Sequence, residues 1–392
     1  MTVILDKKKL IYIVFTICLC FCDIFGGGNF NLLFFIGVLC LFKNFCLKRF
    51  RDLFFLFIPF IFMIILEILL SNNSFDFKRI IIYCSKIIIN ISLLLFIRNK
   101  SDNIDVKYIL VYVYRVFMFL LLMSFLTYGN GWLWRIGDAF NSFSKNRLQF
   151  FYTEPSGLGE ISSVLAILSF YYYFFIQKER KIRNALLCYL VIIILTFSMS
   201  AIFYTCLSLI VMMLINGGKL KLKHFKLFAV LFIMCALVLI TNNPISNRLF
   251  SMLLGNDSSF SFRWTLSIIA LEKILYFTKN MGIGICNLNT PYGLNLLFLY
   301  SGMDYKFANS FPYFIAENGI FGILYISFLF IYFIINIINL KHNRYEDTRL
   351  RLSLLFFTFI SQFAGGYFTN PFIWCVYGLI CSKNEIFKYK NV

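Results

Sequence analysis

Between two apolar runs the chain reads Arg147-Leu-Gln-Phe-Phe-Tyr-Thr-Glu-Pro-Ser-Gly-Leu-Gly-Glu160, the first place where residue types and spacing suggest chemistry. A helix over residues 141–154 would put Arg147 and Glu154, seven apart, on nearly one face. Ser156 is then placed to cap the following helix. Glu154 would stand at that helix's positive end, where a carboxylate stays ionised. The plainer alternative is that Arg147 and Glu154 pair with each other, or that each is a solvated loop charge. A later segment supplies Arg248, Arg263, Lys273, Lys279 and Lys306 against only Asp257, Glu272 and Asp304. An arginine fork grips phosphate oxygens in two-pronged fashion, which a lysine cannot do. Arg147 and Arg263 together would suit a phosphate or diphosphate, although a single loop arginine reads first as a surface charge.

Three more charges, Glu67, Lys86 and Arg115, lie inside apolar runs. A charge at mid-bilayer costs about 2.5–3.5 kcal/mol even on the lenient scale. A Glu67–Lys86 ion pair and a cavity reaching down to a lipid phosphate both account for the first two. The only histidines, His224 and His342, fall in expected cytoplasmic loops, which leaves the outer face without a histidine base or a histidine-containing metal site. Met281-Gly-Ile-Gly-Ile-Cys286 has a nucleotide-site look but follows a helix and lacks a βαβ context. No metal and no cofactor is expected.

What must hold these residues is a membrane. Of 392 residues, 60% are hydrophobic, 20% aromatic and 14% charged, where a soluble domain carries about 25% charged residues. Apolar runs separated by short basic loops mark an all-α, polytopic integral membrane protein. The net charge of +19 invites a nucleic-acid partner, but the lysines and arginines cluster in every second loop. That is the positive-inside pattern, with both termini cytoplasmic and no nucleic acid implied. The run after Lys7–Lys9 looks superficially like a signal peptide. It lacks a small-residue cleavage site and reads as a retained first helix. The 12 cysteines lie mostly in apolar runs, with only Cys286 in an external loop, so no disulfide framework is expected.

With both ends inside, the number of spans is even, and about twelve transmembrane helices are expected. They run Leu10–Ile24, Phe30–Phe42, Leu53–Leu70, Ile80–Ile97, Tyr108–Thr127, Ile161–Ile176, Ala185–Phe197, Ala201–Ile215, Leu227–Thr241, Phe314–Leu340, Leu352–Tyr367 and Pro371–Ser382. The pairs Ala185–Ile215 and Leu352–Ser382 read either as hairpins or as single kinked elements. No repeat of 20–50 residues appears, so residues 1–392 form a single polytopic membrane domain. Two external loops, 128–160 and 242–311, are long, and long loops in compact proteins are usually functional. In the first, Trp132 and Trp134 suit an aromatic belt at the headgroups. In the second, a helix over Phe262–Phe277 has two apolar flanks and a narrow stripe with Arg263 and Ser267, which would leave Arg263 facing a cavity.

Arg147…Phe151-Tyr-Thr-Glu-Pro-Ser156 resembles the "R-x-x-g-x-F-x-E-P" signature of the O-antigen polymerase and ligase superfamily, with its Wzy-type polymerases. In the family's order follow a serine turn, Ser198-Met-Ser200, and an arginine helix leading to a Gly-x-Gly turn, Arg263 to Gly284. Then comes "N-S-x-x-x-x-x-x-E-x-G-x-x-G", here Asn309 through Glu317, Gly319 and Gly322. The resemblance covers roughly residues 145–382. Met199 stands where many members have arginine, and Ala308-Asn309 where the ligase branch has His-Asn, which favours the polymerase branch.

The resemblance implies a glycosyltransferase-C-like enzyme at the outer face of a bacterial inner membrane, a polymerase for O-antigen, capsule or a related surface glycan. Its substrates would be undecaprenyl-diphosphate-linked oligosaccharides in the lipid bilayer, and a chain-length regulator protein would be a further partner. Arg147 and Arg263 would hold the diphosphate, and Glu154 would order Arg147 or the acceptor hydroxyl. Tyr152, Ser156, Arg248, Asn309 and Lys86 would line the substrate. A ligase is the near alternative. A lipid-linked oligosaccharide flippase or other transporter would concentrate charge at mid-membrane, usually with an internal repeat, and a non-catalytic scaffold fits the clustered loop charges least.

Overall fold

The computed structural model describes residues 7–21, 32–46, 50–70, 75–100, 105–128, 131–136, 146–215, 247, 250–251, 254, 261–303, 307–340 and 345–387. The described chain is all-α apart from one two-stranded ribbon. The helices are α1 (Lys7–Cys20), α2 (Leu32–Cys46), α3 (Phe50–Leu70), α4 (Phe77–Lys100), α5 (Val106–Leu126), α6 (Pro155–Tyr171), α7 (Arg180–Leu195) and α8 (Met199–Leu214). They continue with α9 (Ser267–Phe277), α10 (Pro291–Ser301), α11 (Ser310–Leu340), α12 (Tyr345–Ala364) and α13 (Pro371–Ile380). Strands β1 (Trp134–Arg135) and β2 (Arg147–Leu148) pair antiparallel between α5 and α6.

Every expected apolar run coincides with a helix except Leu227–Thr241, which lies outside the described residues. Both ambiguous pairs are hairpins: α7 and α8 are separate helices, as are α12 and α13. Among the described residues five helices are long and apolar enough to cross a membrane, within Arg51–Leu70, Phe77–Asn99, Val106–Leu126, Pro155–Ile176 and Ser310–Asn339. The starts of several helices are written locally. Proline occupies the first turn of α6, α10 and α13, where its missing N–H costs nothing. Asp105, Thr290 and Asn370 accept the first-turn N–H of Lys107, Gly293 and Phe372 at 3.0–3.1 Å, each cap contributing about 1 kcal/mol.

The helices pack as one bundle. α4 is central, against α2, α3 and α13; α6 packs on α7 and α8, and α8 on α12. Its interior is aromatic, with Phe60, Phe117, Tyr189, Phe314, Phe333 and Trp374 fully buried. The outer surface is apolar as well: Leu39, Phe62, Leu69, Phe119, Leu122 and Leu126 are all exposed. Apolar patches of that extent are not left facing water, and lipid tails satisfy them. At the far end Arg351 is clasped by Asp347 at 2.6 Å and by the carbonyls of Ile380, Ser382 and Asn384 at 2.6–2.7 Å. This residue of an expected basic topology loop is thus a buried tie between α12 and the chain beyond α13.

Candidate functional site

The expected helix over 141–154 does not form at its described end. Arg147 and Leu148 are the strand β2, paired with Arg135 and Trp134, and Phe150 turns the chain with a positive φ of 48°. Leu133 supplies one carbonyl to the N–H of both Gln149 and Phe150. Long-range pairing thus overrides the local pattern. A consequence is that Arg135 stands directly across from Arg147 on one face of the ribbon. Like charges in that position repel, so the pair favours an anion beside it. Arg147 Nε donates to the Thr196 carbonyl at 2.9 Å, which fixes the plane of its guanidinium against the turn preceding α8.

That turn also carries Ser198 and Ser200, their hydroxyls 3.1 Å apart. α6 comes so close that a Cβ on Gly159 would lie 2.9 Å from Ala201 Cβ and 3.2 Å from Thr196 Oγ1. Glu154 occupies the N-cap of α6, as expected for an acid at that end, but Ser156 does not cap. It lies inside the first turn and its hydroxyl donates back to Glu154 Oε2 at 3.0 Å. Glu154 is exposed and makes no ion pair with Arg147 among the described residues.

Arg263 sits in a wide, i→i+5 turn, Phe262–Leu266, that opens α9. Such turns recur at functional sites because they re-aim one side chain out of helical register. On α9 the buried residues are Ser267, Ala270 and Ile274, while Ile268, Ile269, Tyr276 and Phe277 are exposed. The expected stripe therefore faces inward and the apolar flanks face out. Arg263 Nη1 donates to the Ala364 carbonyl at 3.3 Å. Arg263 and neighbouring Trp264 both lie close to the Tyr204 hydroxyl on α8. Asn309 is buried and fully used: its Nδ2 donates to the Arg263 and Phe363 carbonyls at 2.5 and 2.8 Å, and its Oδ1 accepts from Ser267 at 3.3 Å. Asn309, expected to line the substrate, braces the Arg263 segment here.

Sequence reasoning missed the segment where these groups meet, Ser361-Gln-Phe-Ala-Gly-Gly366 at the end of α12. Ser361 Oγ donates to Glu160 Oε1 at 3.1 Å. Gln362 is 1% exposed, and its Nε2 has no hydrogen-bond partner among the described residues. Phe363 and Ala364 hold Asn309 and Arg263 through their carbonyls. The available signal was a Ser-Gln pair ahead of two glycines at the end of the largely apolar second half of α12.

The glycine and glutamate motifs do different work. Gly282 and Gly319 have φ of +78° and +59°, and the second breaks α11. A Cβ on Gly282 would lie 2.4 Å from the Glu317 carbonyl oxygen, and one on Gly319 2.1 Å from that of Asn280. Gly284 N–H meets the Glu317 carbonyl at 2.9 Å and Ile320 N–H that of Asn280 at 2.8 Å. Two buried carboxylates complete the lock, Glu317 on Leu288 N–H at 3.1 Å and Glu67 on Ile285 N–H at 2.6 Å. Of the two accounts of Glu67 and Lys86, the ion pair does not form among the described residues: Glu67 spends an oxygen on this loop, and Lys86 is half-buried. Cys286, in the same loop, is buried, which pushes its thiol above the ordinary range.

Tyr152, also expected to line the substrate, has its ring buried and its hydroxyl donating to the Leu19 carbonyl on α1. Trp132 is 62% exposed, as a belt residue should be, whereas Trp134 is 2% exposed and donates to the Ser124 carbonyl at 2.8 Å. Arg248 lies outside the described residues. What remains at one end of the bundle is a set of guanidinium groups, paired serine hydroxyls and two acids, suited to a multiply charged anion beside a reacting hydroxyl. No family model matches the chain, and a search of curated proteins returns no match.

Proposed function

We propose that this chain polymerises lipid-linked oligosaccharide repeat units at the outer face of a bacterial inner membrane. One observation carries the reading: Arg147 is anchored on the turn preceding α8 and Arg263 at the end of α12, two helices that pack on each other in a bundle with an apolar exterior. An apolar exterior suits a substrate delivered on an undecaprenyl anchor. The sugar hydroxyl of one unit attacks the anomeric carbon of the other, and the undecaprenyl diphosphate leaves. Negative charge builds on the leaving diphosphate, and guanidinium groups fixed in place beforehand stabilise it without reorganising. Arg135, opposite Arg147 on the ribbon, adds a third positive charge at the same face. Such a leaving group needs no metal.

Twelve spans with both termini cytoplasmic, in a glycosyltransferase-C-like arrangement, complete the reading. The alternating basic loops support it, as does the single end of the bundle on which the α6, α8 and α11 starts and the α12 terminus fall. Glu154 stands at the mouth, in reach of an arriving acceptor. The ligase alternative would use the same arginines, but the His-Asn of that branch is Ala308-Asn309 here, and Asn309 is consumed in bracing Arg263. The test is Arg147→Lys and Arg263→Lys, made singly at matched protein levels. A lysine keeps charge but not the fork. Each is expected to lose about 10²–10³-fold in polymerisation, as for one transition-state donor. Full-length glycan from both variants would refute the assignment.

A further inference from the structure

The acceptor hydroxyl must lose a proton, and no histidine stands among the described residues to take it. Two acids lie at the start of α6, the helix that packs against the turn preceding α8 and against α12. Glu154 is exposed and turned to Ser156. Glu160 lies within α6, half-buried, with Oε1 receiving the Ser361 hydroxyl at 3.1 Å. Its neighbours bracket it between the two arginine anchors. Gly159, beside it in sequence, touches the Thr196–Ala201 turn that Arg147 grips. Ser361 lies three residues before Ala364, whose carbonyl Arg263 holds. The buried, unpartnered Nε2 of Gln362 is the next residue along.

We propose that Glu160 is the general base of the transfer, a role that rests on the polymerase reading above. Ser361 Oγ, whose one hydrogen is within reach of both Glu160 Oε1 at 3.1 Å and the Thr358 carbonyl at 3.0 Å, occupies the Oε1 side, so Oε2 is the oxygen that takes the proton. The acceptor oxygen forms its bond to the anomeric carbon as the bond from that carbon to the diphosphate oxygen breaks. The bonding pair leaves with the undecaprenyl diphosphate, the hydroxyl proton passes to Glu160, and Glu160 returns it to water after the product moves on. Gln362 Nε2 is available to donate to a sugar oxygen at the same spot.

Purified full-length protein, given lipid-linked repeat units extracted from cells lacking this chain, provides the test. Glu160→Gln is expected to lower kcat about 10²–10⁴-fold, the usual contribution of a general base, with donor KM within about twofold of wild type. Binding of undecaprenyl diphosphate should be unchanged, which shows the variant folded, whereas Arg147→Lys and Arg263→Lys should weaken it. Glu160→Asp should recover part of kcat. A Glu160→Gln enzyme near wild-type kcat while the arginine variants fail overturns Glu160 alone. Loss in Glu154→Gln but not in Glu160→Gln moves the base to Glu154. Wild-type protein that joins no units overturns the polymerase reading and Glu160 with it. Loss of diphosphate binding in both Glu160→Gln and Glu160→Asp makes Glu160 a structural residue and equally contradicts the proposal.

Discussion

Tyr152 and Glu160, eight positions apart, show how side chains of one motif divide between structure and chemistry. Tyr152 belongs to the family-like signature, yet its hydroxyl is spent on the Leu19 carbonyl and its ring is buried against the bundle. Tyr152→Phe should therefore leave glycan chain length at wild type. It should lower stability by about 1 kcal/mol, the net worth of one hydrogen bond, read as a small fall in thermal midpoint in detergent. Shortened chains at unchanged stability would return Tyr152 to the substrate. Arg147 and Arg263 were legible because a charge in an apolar chain is expensive and therefore conspicuous. Glu160 and Gln362 were not. Each reads as the polar edge of an apolar run, and only the packing of α6 on α12 gives them a shared neighbourhood. Arg135 was silent for a similar reason, since its meaning comes from the residue across the ribbon.

At the scale of elements, helices in lipid are written by long apolar runs and by proline at their starts, so their places were legible. Breaks and crossings were not. The ribbon pairs Trp134 with Leu148 and Arg135 with Arg147 across a loop, which no local period announces. The break at Gly319 is forced by the loop pressed against it, with Glu67 and Glu317 holding that loop from two different helices. Gly282 and Gly319 thus explain the spacing of two sequence motifs as an interlock, with no phosphate needed. Gly319→Ala should prevent folding: its backbone lies at φ +59° and ψ −137°, and the added Cβ would meet the Asn280 carbonyl. Strain of about 1–3 kcal/mol adds to that clash, so little monodisperse protein is expected on size exclusion. Normal yield and full activity would show that the interlock is dispensable.

The whole molecule is a bundle with an apolar exterior, a charged cluster at one end and a buried arginine tie, Arg351, at the other. Composition announced the membrane; it could not show that the segments carrying Arg147 and Arg263 both reach the α8 and α12 region, because that is set by how the helices pack. A lipid-anchored diphosphate arriving laterally would reach the arginines without leaving its membrane, and the growing glycan would extend into water. The most direct measurement mixes purified wild-type protein with lipid-linked repeat units and follows glycan length and released undecaprenyl diphosphate together. A polymerase gives a ladder of lengthened glycan with one undecaprenyl diphosphate freed for each bond formed. Repeat units that stay single, or that move only onto lipid A core, would contradict the account.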